Sequence, residues 1–257
     1  MLQVVSNLRG FTIEAQDGRL GTVSDFLFDD TTWKMRWMVV DTGRWLTGRK
    51  VLVHPSSIGH ADYERRELTV ALTKAQVEGS PDISNDRPVS RQMQSDLYGY
   101  YGWDPFWGGG MYGAGLYADG LYGGGLGVLP YGLPGSRRDG DLGLDDGDPH
   151  LRSAAEVTGY HLHARDGSIG HVEDLLVDST GWGIRYLIVD TKNWWFGKHV
   201  LISPHAVKEI DWSAHDIRLD IDRDKVKASP PWDPIDEINE AYERRLHSHY
   251  GWPGYGW

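Results

Sequence analysis

Apolar and polar residues alternate in the first part of the chain, and this alternation predicts β-strands. Phe11, Ile13 and Ala15 are separated by polar residues, which is the period of a strand with one buried face. The pair Asp17-Gly18 follows, and both residue types tolerate the positive φ of a hairpin turn. This segment therefore predicts the first strand and the first turn of an antiparallel sheet.

Further strands are predicted at short intervals along the same region. Residues 35–41 and 50–55 are dense in β-branched and aromatic residues, and proline closes the second of these segments. Residues 65–72 form another strand by the same pattern. Five or so short strands with no crossover helix between them predict a small antiparallel β-barrel.

A helical period follows the strands. Apolar residues recur every four positions there: Val89, Met93, Leu97 and Tyr101. The positions between them are polar, so the segment predicts an amphipathic helix with one apolar stripe.

The whole arrangement occurs twice in the chain. Residues 10–55 align without a gap with residues 159–204. The same offset carries the apolar helical stripe onto a second one: Ile238, Tyr242, Leu246 and Tyr250. It also carries Tyr-Gly-Trp at 101–103 onto 250–252, and Pro234, a residue suited to a first helical turn, opens the second helical segment. An internal repeat of this kind indicates two copies of one domain.

The repeat divides the chain into five predicted parts. Each barrel is followed by a helix with an aromatic tail, and a linker joins the two units. The predicted ranges are 1–85 for barrel 1, 86–107 for its helix and tail, 108–150 for the linker, 151–233 for barrel 2, and 234–257 for its helix and tail.

The segment "DGRLGTVSDFLFDDTTWKMRWMVVDTGRWLTGRKVLVHP" and its second copy resemble the PRC-barrel family, which is named after the cytoplasmic domain of the photosynthetic reaction-centre H subunit. The resemblance covers roughly 10–80 and 159–229. It implies a mainly β fold of two small antiparallel barrels, used for assembly and protein contacts rather than catalysis. Reaction-centre H subunits carry a transmembrane helix before the barrel, and ribosome-maturation relatives carry an RNA-associated domain; neither is predicted here.

Charge and composition restrict the classes of partner. The formal net charge is −11, and no basic block occurs in the chain. Phosphate contacts need clustered Lys and Arg, so a nucleic-acid partner is not expected. The chain has no cysteine, which excludes disulfides and thiolate metal sites. The sequence shows neither a long apolar run nor a signal-peptide pattern, so we expect no integral membrane segment and a cytoplasmic location.

The repeated carboxylates are the first candidates for chemistry. Asp25, Asp29 and Asp41 recur as the aligned Asp174, Asp178 and Asp190. Acidic residues beside turns commonly accept backbone N–H bonds or pair with a nearby arginine, here Arg36 or Arg185. We therefore expect a structural role for them, and the sequence contains no catalytic constellation or phosphate loop.

Histidines of the second unit are weak candidates for a metal site. His161 and His163 alternate on one predicted strand face, and His199 and His205 lie downstream. Two histidines spaced in this way can bind a metal ion, but the first unit has no histidine at the aligned positions. We expect surface histidines, no cofactor and no metal.

Aromatic residues in loops and tails are the candidates for a protein interface. Exposed aromatic rings are costly in water and are enriched at interfaces. The candidate residues lie in the strand–strand loops, the two tails and the linker: Trp45, Trp194, Trp195, Phe196, Tyr101, Trp103, Phe106, Trp107, Tyr250, Trp252, Tyr255, Trp257, Tyr112, Tyr117 and Tyr122. Packing of the tails on their own barrels is the alternative. The linker segment 108–135 is rich in Gly, Tyr and Leu and is either a flexible tether or a self-associating segment.

These observations predict a non-enzymatic scaffold or assembly module that forms homo-oligomers or binds another protein. One alternative, from the resemblance, is a peripheral soluble partner of a membrane or photosynthetic complex. Another is a metal-binding protein that uses the histidines of the second unit.

Overall fold

The structure, a computed structural model, describes residues 1–46, 48–81, 89–103, 147–191, 199–233 and 238–256. The described residues form two seven-stranded sheets and six short α-helices. Each repeat unit has one sheet followed by an amphipathic helix with aromatic residues after it, so the predicted fold class is confirmed.

The first repeat contains seven strands and three α-helices. In chain order they are β1 (Leu2–Val4), α1 (Val5–Leu8), β2 (Thr12–Ala15), β3 (Gly18–Asp29), β4 (Lys34–Asp41), β5 (Lys50–Val53), β6 (Ile58–Asp62), β7 (Glu67–Val70), α2 (Lys74–Glu78) and α3 (Arg91–Tyr101). A 3-10 turn at Pro55–Ser57 separates β5 from β6.

The second repeat has the same elements in the same order. They are β8 (Leu151–Ser153), α4 (Ala154–Val157), β9 (His161–Ala164), β10 (Gly167–Asp178), β11 (Ile184–Asp190), β12 (His199–Ile202), β13 (Val207–Asp211), β14 (Asp216–Leu219), α5 (Arg223–Lys227) and α6 (Glu240–Tyr250). A 3-10 turn at Pro204–Ala206 separates β12 from β13, as the equivalent turn does in the first repeat.

Neighbouring strands are antiparallel in both sheets, with one exception in each. The strand order is β5-β4-β3-β2-β7-β6 in the first sheet and β12-β11-β10-β9-β14-β13 in the second. The pairs β2–β7 and β9–β14 are parallel, which corrects the expectation of purely antiparallel barrels. β7 follows β6 through a hairpin and lies beside β2, and β14 follows β13 and lies beside β9. Each of these two strands runs in the same direction as its neighbour.

The two sheets exchange their first strands. β1 pairs with β10 of the second repeat, and β8 pairs with β3 of the first. The registers are equivalent under the repeat, because Leu2 lies opposite Asp178 and Leu151 lies opposite Asp29. The sequence pattern did not predict β1 or β8, since a three-residue strand is too short to show a period.

The exchanged segments extend from one repeat into the sheet of the other. Gly10 (φ 78°) and Gly159 (φ 95°) lie in the left-handed region where the exchanged segments end and the chain enters the other sheet. We call the described residues of 1–103 the first body, and those of 148–256 the second body. The connection 104–146 leaves the first body after Trp103, and the second body begins at Asp148, which contacts α3 of the first body.

Both bodies share one continuous hydrophobic core. It includes fully buried side chains of the long strands, such as Phe26, Phe28, Leu175 and Val177. The exchanged helices bury the apolar side chains Val5, Leu8, Ala154 and Val157 in the same core. Burial of these side chains drives the exchange, because each fully buried aliphatic residue contributes about 1.5–3 kcal/mol.

Helices α3 and α6 begin and end at equivalent positions. The side chains of Ser90 and Asn239 accept the N-cap hydrogen bonds, and Gly102 and Gly251 end the helices in the left-handed conformation. α6 therefore begins at Glu240, later than a start near Pro234, a residue that lies outside the described residues.

Candidate interaction site

The contact between the two bodies is fixed by two equivalent aspartates. Asp25 accepts hydrogen bonds from the Ser153 hydroxyl (2.5 Å) and the Ala155 backbone N–H (3.2 Å). Asp174 accepts from the Ser6 N–H at 3.3 Å, the equivalent contact on the other side. Each carboxylate thus holds the N-terminal end of the exchanged helix, where negative charge is stabilising. The predicted structural role of these carboxylates is located at the contact between the bodies.

A glycine four residues before each of these aspartates, on the same strand, lets the neighbouring backbone approach closely. A Cβ atom on Gly21 would lie 2.1 Å from the backbone oxygen of Asp41, and one on Gly170 would lie 2.0 Å from that of Asp190. No side chain fits at these distances. The repeated pattern Gly-x-Val-x-Asp therefore combines a close backbone approach with the aspartate that binds the exchanged segment.

The hairpins after β3 and β10 meet at the centre of the contact. Trp33 and Trp182 have φ values of 55° and 54°, a conformation that is unusual for residues with a bulky side chain. In this conformation the Trp33 carbonyl accepts a hydrogen bond from Ile184 N–H (2.7 Å), and the Trp182 carbonyl accepts one from Met35 N–H (2.8 Å). The two rings stack on Phe28 and Phe26, with centroid distances of 5.5 and 6.0 Å. The strained turns therefore join the two bodies.

Asp29 and Asp178 stabilise these turns. Asp29 accepts hydrogen bonds from the Thr31 and Thr32 backbone N–H groups, and Asp178 accepts one from Thr180 N–H. The backbone hydrogen bond from Thr180 and the Arg185 guanidinium lower the pKa of Asp178 although burial alone would raise it. Both aspartates therefore have the structural role expected from the sequence.

An open groove runs along the contact between the two bodies on one side, and we call it the junction groove. Its volume is about 570 Å³. Trp33 of the first body and Trp212 and Tyr255 of the second line it, together with the charged Lys208 and Glu209. Aromatic walls with charges of both signs are typical of surfaces that bind a protein partner.

Cations of the protein itself already lie beside these rings. The Arg152 guanidinium lies 4.1 Å from the centre of the Trp212 ring and also donates to Asp30 at 3.2 Å. His150 Nδ1 lies 2.9 Å from the same Asp30 carboxylate. Both bodies thus contribute charged side chains to the groove, and the groove exists only where the two bodies meet.

Helix α6 packs on the sheet of the second body, and we call this contact the seat of the helix. The seat of α6 is polar and buried. Glu243 and His247 are 6% and 3% exposed, although both lie on the helix face that packs on the sheet. Arg185 donates two hydrogen bonds to Glu243 (3.2 and 3.3 Å), and Tyr186 donates one at 3.0 Å. His247 Nε2 lies 2.7 Å from the same Tyr186 hydroxyl. The sequence pattern did not indicate this network, because only the apolar stripe of the helix shows a period.

The pKa values in this seat follow from its burial. Burial and the neighbouring Glu243 carboxylate raise the pKa of Tyr186, which stays protonated. Burial lowers the pKa of His247, against the opposite effects of the Pro253 carbonyl and of Glu243. The Pro253 carbonyl lies 2.6 Å from His247 Nδ1, so this ring nitrogen carries a proton and holds the tail to the helix.

The seat of α3 on the first body uses different side chains at the same positions. Trp37 donates to Gln94 at 3.1 Å, and Gln94 donates to the Asp148 carboxylate at 2.9 Å. Arg36 donates to the Tyr98 hydroxyl at 3.0 Å. A neutral amide thus replaces the carboxylate of α6, and Asp148 supplies the negative charge.

A histidine lies in the aromatic part of the same seat. The His54 ring centre is 5.6 to 5.7 Å from those of Trp37, Tyr98 and Trp103. Burial, with a smaller contribution from the nearby Arg36, lowers the pKa of His54 to about 4. His54 is therefore neutral in the folded protein at pH 7.

The described aromatic residues of the tails contact their own bodies. Tyr101 stacks on Trp103 at 4.2 Å, and Tyr250 stacks on Trp252 at 4.0 Å. The Tyr255 hydroxyl contacts Ser203 (2.8 Å) and donates to the Arg185 carbonyl (2.9 Å). These rings are buried or half-buried in the chain. The remaining tail and linker candidates lie outside the described residues: Phe106, Trp107, Trp257, Tyr112, Tyr117 and Tyr122.

Trp45 lies in the loop after β4 and is half-buried. Lys74 of α2 is 4.8 Å from the centre of its ring, and the loop borders a second open groove of about 480 Å³ that Arg19 and Arg44 also line. Trp194, Trp195 and Phe196 of the equivalent loop lie outside the described residues. An interface role for these loop aromatics stays a prediction.

The histidines of the second unit are spread over several strands. His161 on β9 lies opposite His171 on β10, whereas His163 lies 3.4 Å from the Asp216 carboxylate. His199 lies 2.7 Å from Glu173. Within the described ranges, no group of three or more histidine or carboxylate side chains is arranged to hold a metal ion. Nor does any helix in that part of the chain have the length and apolar character to cross a membrane.

The fold and its contacts define a tandem of two similar β-domains joined by exchanged strands. The family model of the PRC-barrel domain matches residues 4–77 and 155–226. The chain therefore belongs to the PRC-barrel family, with two copies of the domain, as the resemblance implied. Among curated proteins, none matches the chain. PRC-barrel domains are generally non-catalytic and occur in proteins of the scaffold or assembly type.

Proposed function

We propose that this protein is a non-enzymatic assembly module that acts through protein–protein contacts and associates with copies of itself. The observation that carries the proposal is the reciprocal contact between the two bodies. Each body presents a strand edge and a binding site for a short helix to an equivalent body, which is the symmetry of a homodimer interface. A domain with this contact is suited to build assemblies from like subunits.

The positions of the carboxylates support a non-enzymatic role. Asp25, Asp29 and Asp178 all accept hydrogen bonds that hold turns or exchanged segments. A catalytic acid or base needs a carboxylate that is open to a substrate, and these three are engaged in the contact between the bodies.

The junction groove is the surface that we propose for contacts with a partner. It combines residues of both bodies, so it presents its aromatic walls only when the two bodies are joined. The aromatic tails and the linker segment 108–135 are further surfaces for self-association.

The experiment is absolute mass by light scattering after gel filtration, over a range of protein concentrations. It compares the full chain with a variant in which residues 108–135 are replaced by Gly and Ser, and with His205→Ala, since His205 also lines the junction groove. Ser56→Ala, at the aligned position of the first repeat, is the matched control. We expect the full chain and the control to form oligomers and His205→Ala to form fewer.

The outcomes identify the part of the chain that carries self-association. If replacement of 108–135 abolishes the oligomers, the linker carries self-association; if the oligomers persist, the bodies and tails carry it. A full chain that stays monomeric at high micromolar concentration contradicts self-association and leaves a different protein as the partner.

A further inference from the structure

The contact between the two bodies has a consequence for how chains join, and this inference rests on the proposed function. We propose that the second body of one chain docks on the first body of a second copy, so that two chains exchange halves through the same strand contacts. The partner is a second copy of this chain, and its β1 completes the sheet at β10.

Every contact of the joined bodies is available between chains. β1 with β10, β8 with β3, and the Asp25 and Asp174 carboxylates with the exchanged helices all join one body to the other. An exchanged pair of chains forms each of these contacts twice, as two separate chains do. The two arrangements therefore differ only in the path of the connection 104–146.

Both ends of this connection lie beside α3 of the first body, at opposite ends of this helix. Trp103 follows the C-terminal end of the helix. Asp148 donates its N–H to the Val89 carbonyl and accepts from Gln94, near the N-terminal end. Eleven helical residues span about 16 Å, which a connection of six or so extended residues can bridge. The connection is much longer than closure within one chain requires, and its length permits both arrangements.

Concentration decides between the two arrangements. A connection of this length holds the two bodies of one chain at an effective concentration on the order of millimolar. Because exchange forms no new contact, the exchanged dimer becomes comparable to the closed monomer near that concentration. Below it, the exchanged fraction rises in proportion to the protein concentration.

The test uses the absence of cysteine from the chain. Gln3 lies directly opposite Val177 in the β1–β10 pair. Full-length chains with Gln3→Cys alone are mixed with chains that carry Val177→Cys alone, unfolded and refolded together, and oxidised. A disulfide between two chains then forms only if β1 of one chain lies on β10 of the other. Gln3→Cys mixed with Arg218→Cys, on the exposed face of β14, is the matched control.

We expect a covalent dimer in the first mixture and none in the control. The fraction of covalent dimer should rise about tenfold when the protein concentration during refolding rises from about 10 to about 100 µM. The double variant Gln3→Cys/Val177→Cys verifies the geometry by forming a disulfide within one chain. Leu27→Cys mixed with Ser153→Cys, which face each other across β3 and β8, is an independent second pair.

The outcomes separate this inference from the proposed function. If light scattering detects oligomers but neither cysteine pair links two chains, exchange is wrong and assembly uses other surfaces. If neither oligomers nor links form, both the exchange and self-association are wrong.

Discussion

Gly21 and Gly170 show how a single residue permits close contact between two parts of the backbone. The neighbouring backbone oxygen occupies the place of a Cβ atom at both positions. The sequence shows a repeated glycine here, but glycine also occurs in turns and linkers, so its role became clear only when the strand pairing was known. The same is true of Asp25 and Asp174, whose partners are far away in the sequence.

We predict that Gly21→Ala destabilises the protein by on the order of 3 kcal/mol, because the methyl group would overlap the backbone of Asp41. Gly99→Ala in α3 is the control. It has no atom within 4 Å of the new methyl group and should change the free energy of unfolding by less than about 1 kcal/mol, in the stabilising direction. Urea unfolding measures both, and equal effects would contradict the close-approach argument.

His54 makes the first body sensitive to acid. Its pKa is about 4 in the folded protein, below the ordinary value of 6.5. The folded state therefore binds a proton less readily than the unfolded state, and stability falls as the pH decreases from about 6.5 to about 4. We predict that His54→Ser, which introduces the residue found at the aligned Ser203, makes this pH-dependent loss of unfolding free energy smaller by about 2 kcal/mol. The figure is reduced because the His54 side chain is partly exposed.

The measurement for His54 is the free energy of urea unfolding at a series of pH values between 4 and 7.5. His60→Ser is the control, because the His60 side chain is exposed to solvent. An unchanged pH dependence in His54→Ser would show that another group causes the acid sensitivity.

Helices α3 and α6 show which features of an element the sequence predicts. The four-residue period predicted both helices, and Leu97 and Leu246 are buried as expected. The period did not predict that Gln94, Glu243 and His247 would also be buried. Polar residues on a helix are expected to face solvent. Only their hydrogen-bond partners on the sheet show that these three side chains are buried.

The two helix seats are expected to differ in their response to charge. Gln94 donates to the buried Asp148 carboxylate, so Gln94→Glu would place two carboxylates side by side. We predict that this variant loosens α3 at pH 7, at a cost of about 3 kcal/mol, and that stability recovers at acid pH as one carboxylate binds a proton. Hydrogen exchange of the α3 amides, at pH 5 and pH 7, measures the effect.

Glu243→Gln is the reciprocal variant. It removes the charge that pairs with Arg185 but retains an oxygen for the Tyr186 hydroxyl. We expect it to loosen α6 and to leave α3 unchanged. Equal exchange rates for α3 in Gln94→Glu and in the unchanged chain would contradict the role assigned to Asp148.

At the scale of the whole molecule, the repeat predicted two similar β-domains, and the structure and the family comparison confirm them. The sequence did not predict the exchange of β1 and β8. Those segments are short, and their partners are chosen by burial in another domain rather than by local preference. Trp103 and Asp148, which flank the connection 104–146, lie at opposite ends of α3.

The central claim is that the first body recognises the second through the exchanged strands, whichever chain supplies it. The most direct measurement is the absolute mass, by light scattering, of a chain in which residues 104–146 are cut to two glycines. Such a connection reaches about 10 Å, less than the length of α3, so the two bodies cannot close within one chain. A matched variant with twelve residues reaches about 40 Å and can close. The account predicts a folded dimer for the shorter connection and a monomer for the longer one at low micromolar concentration; a folded monomer with the two-glycine connection would contradict it.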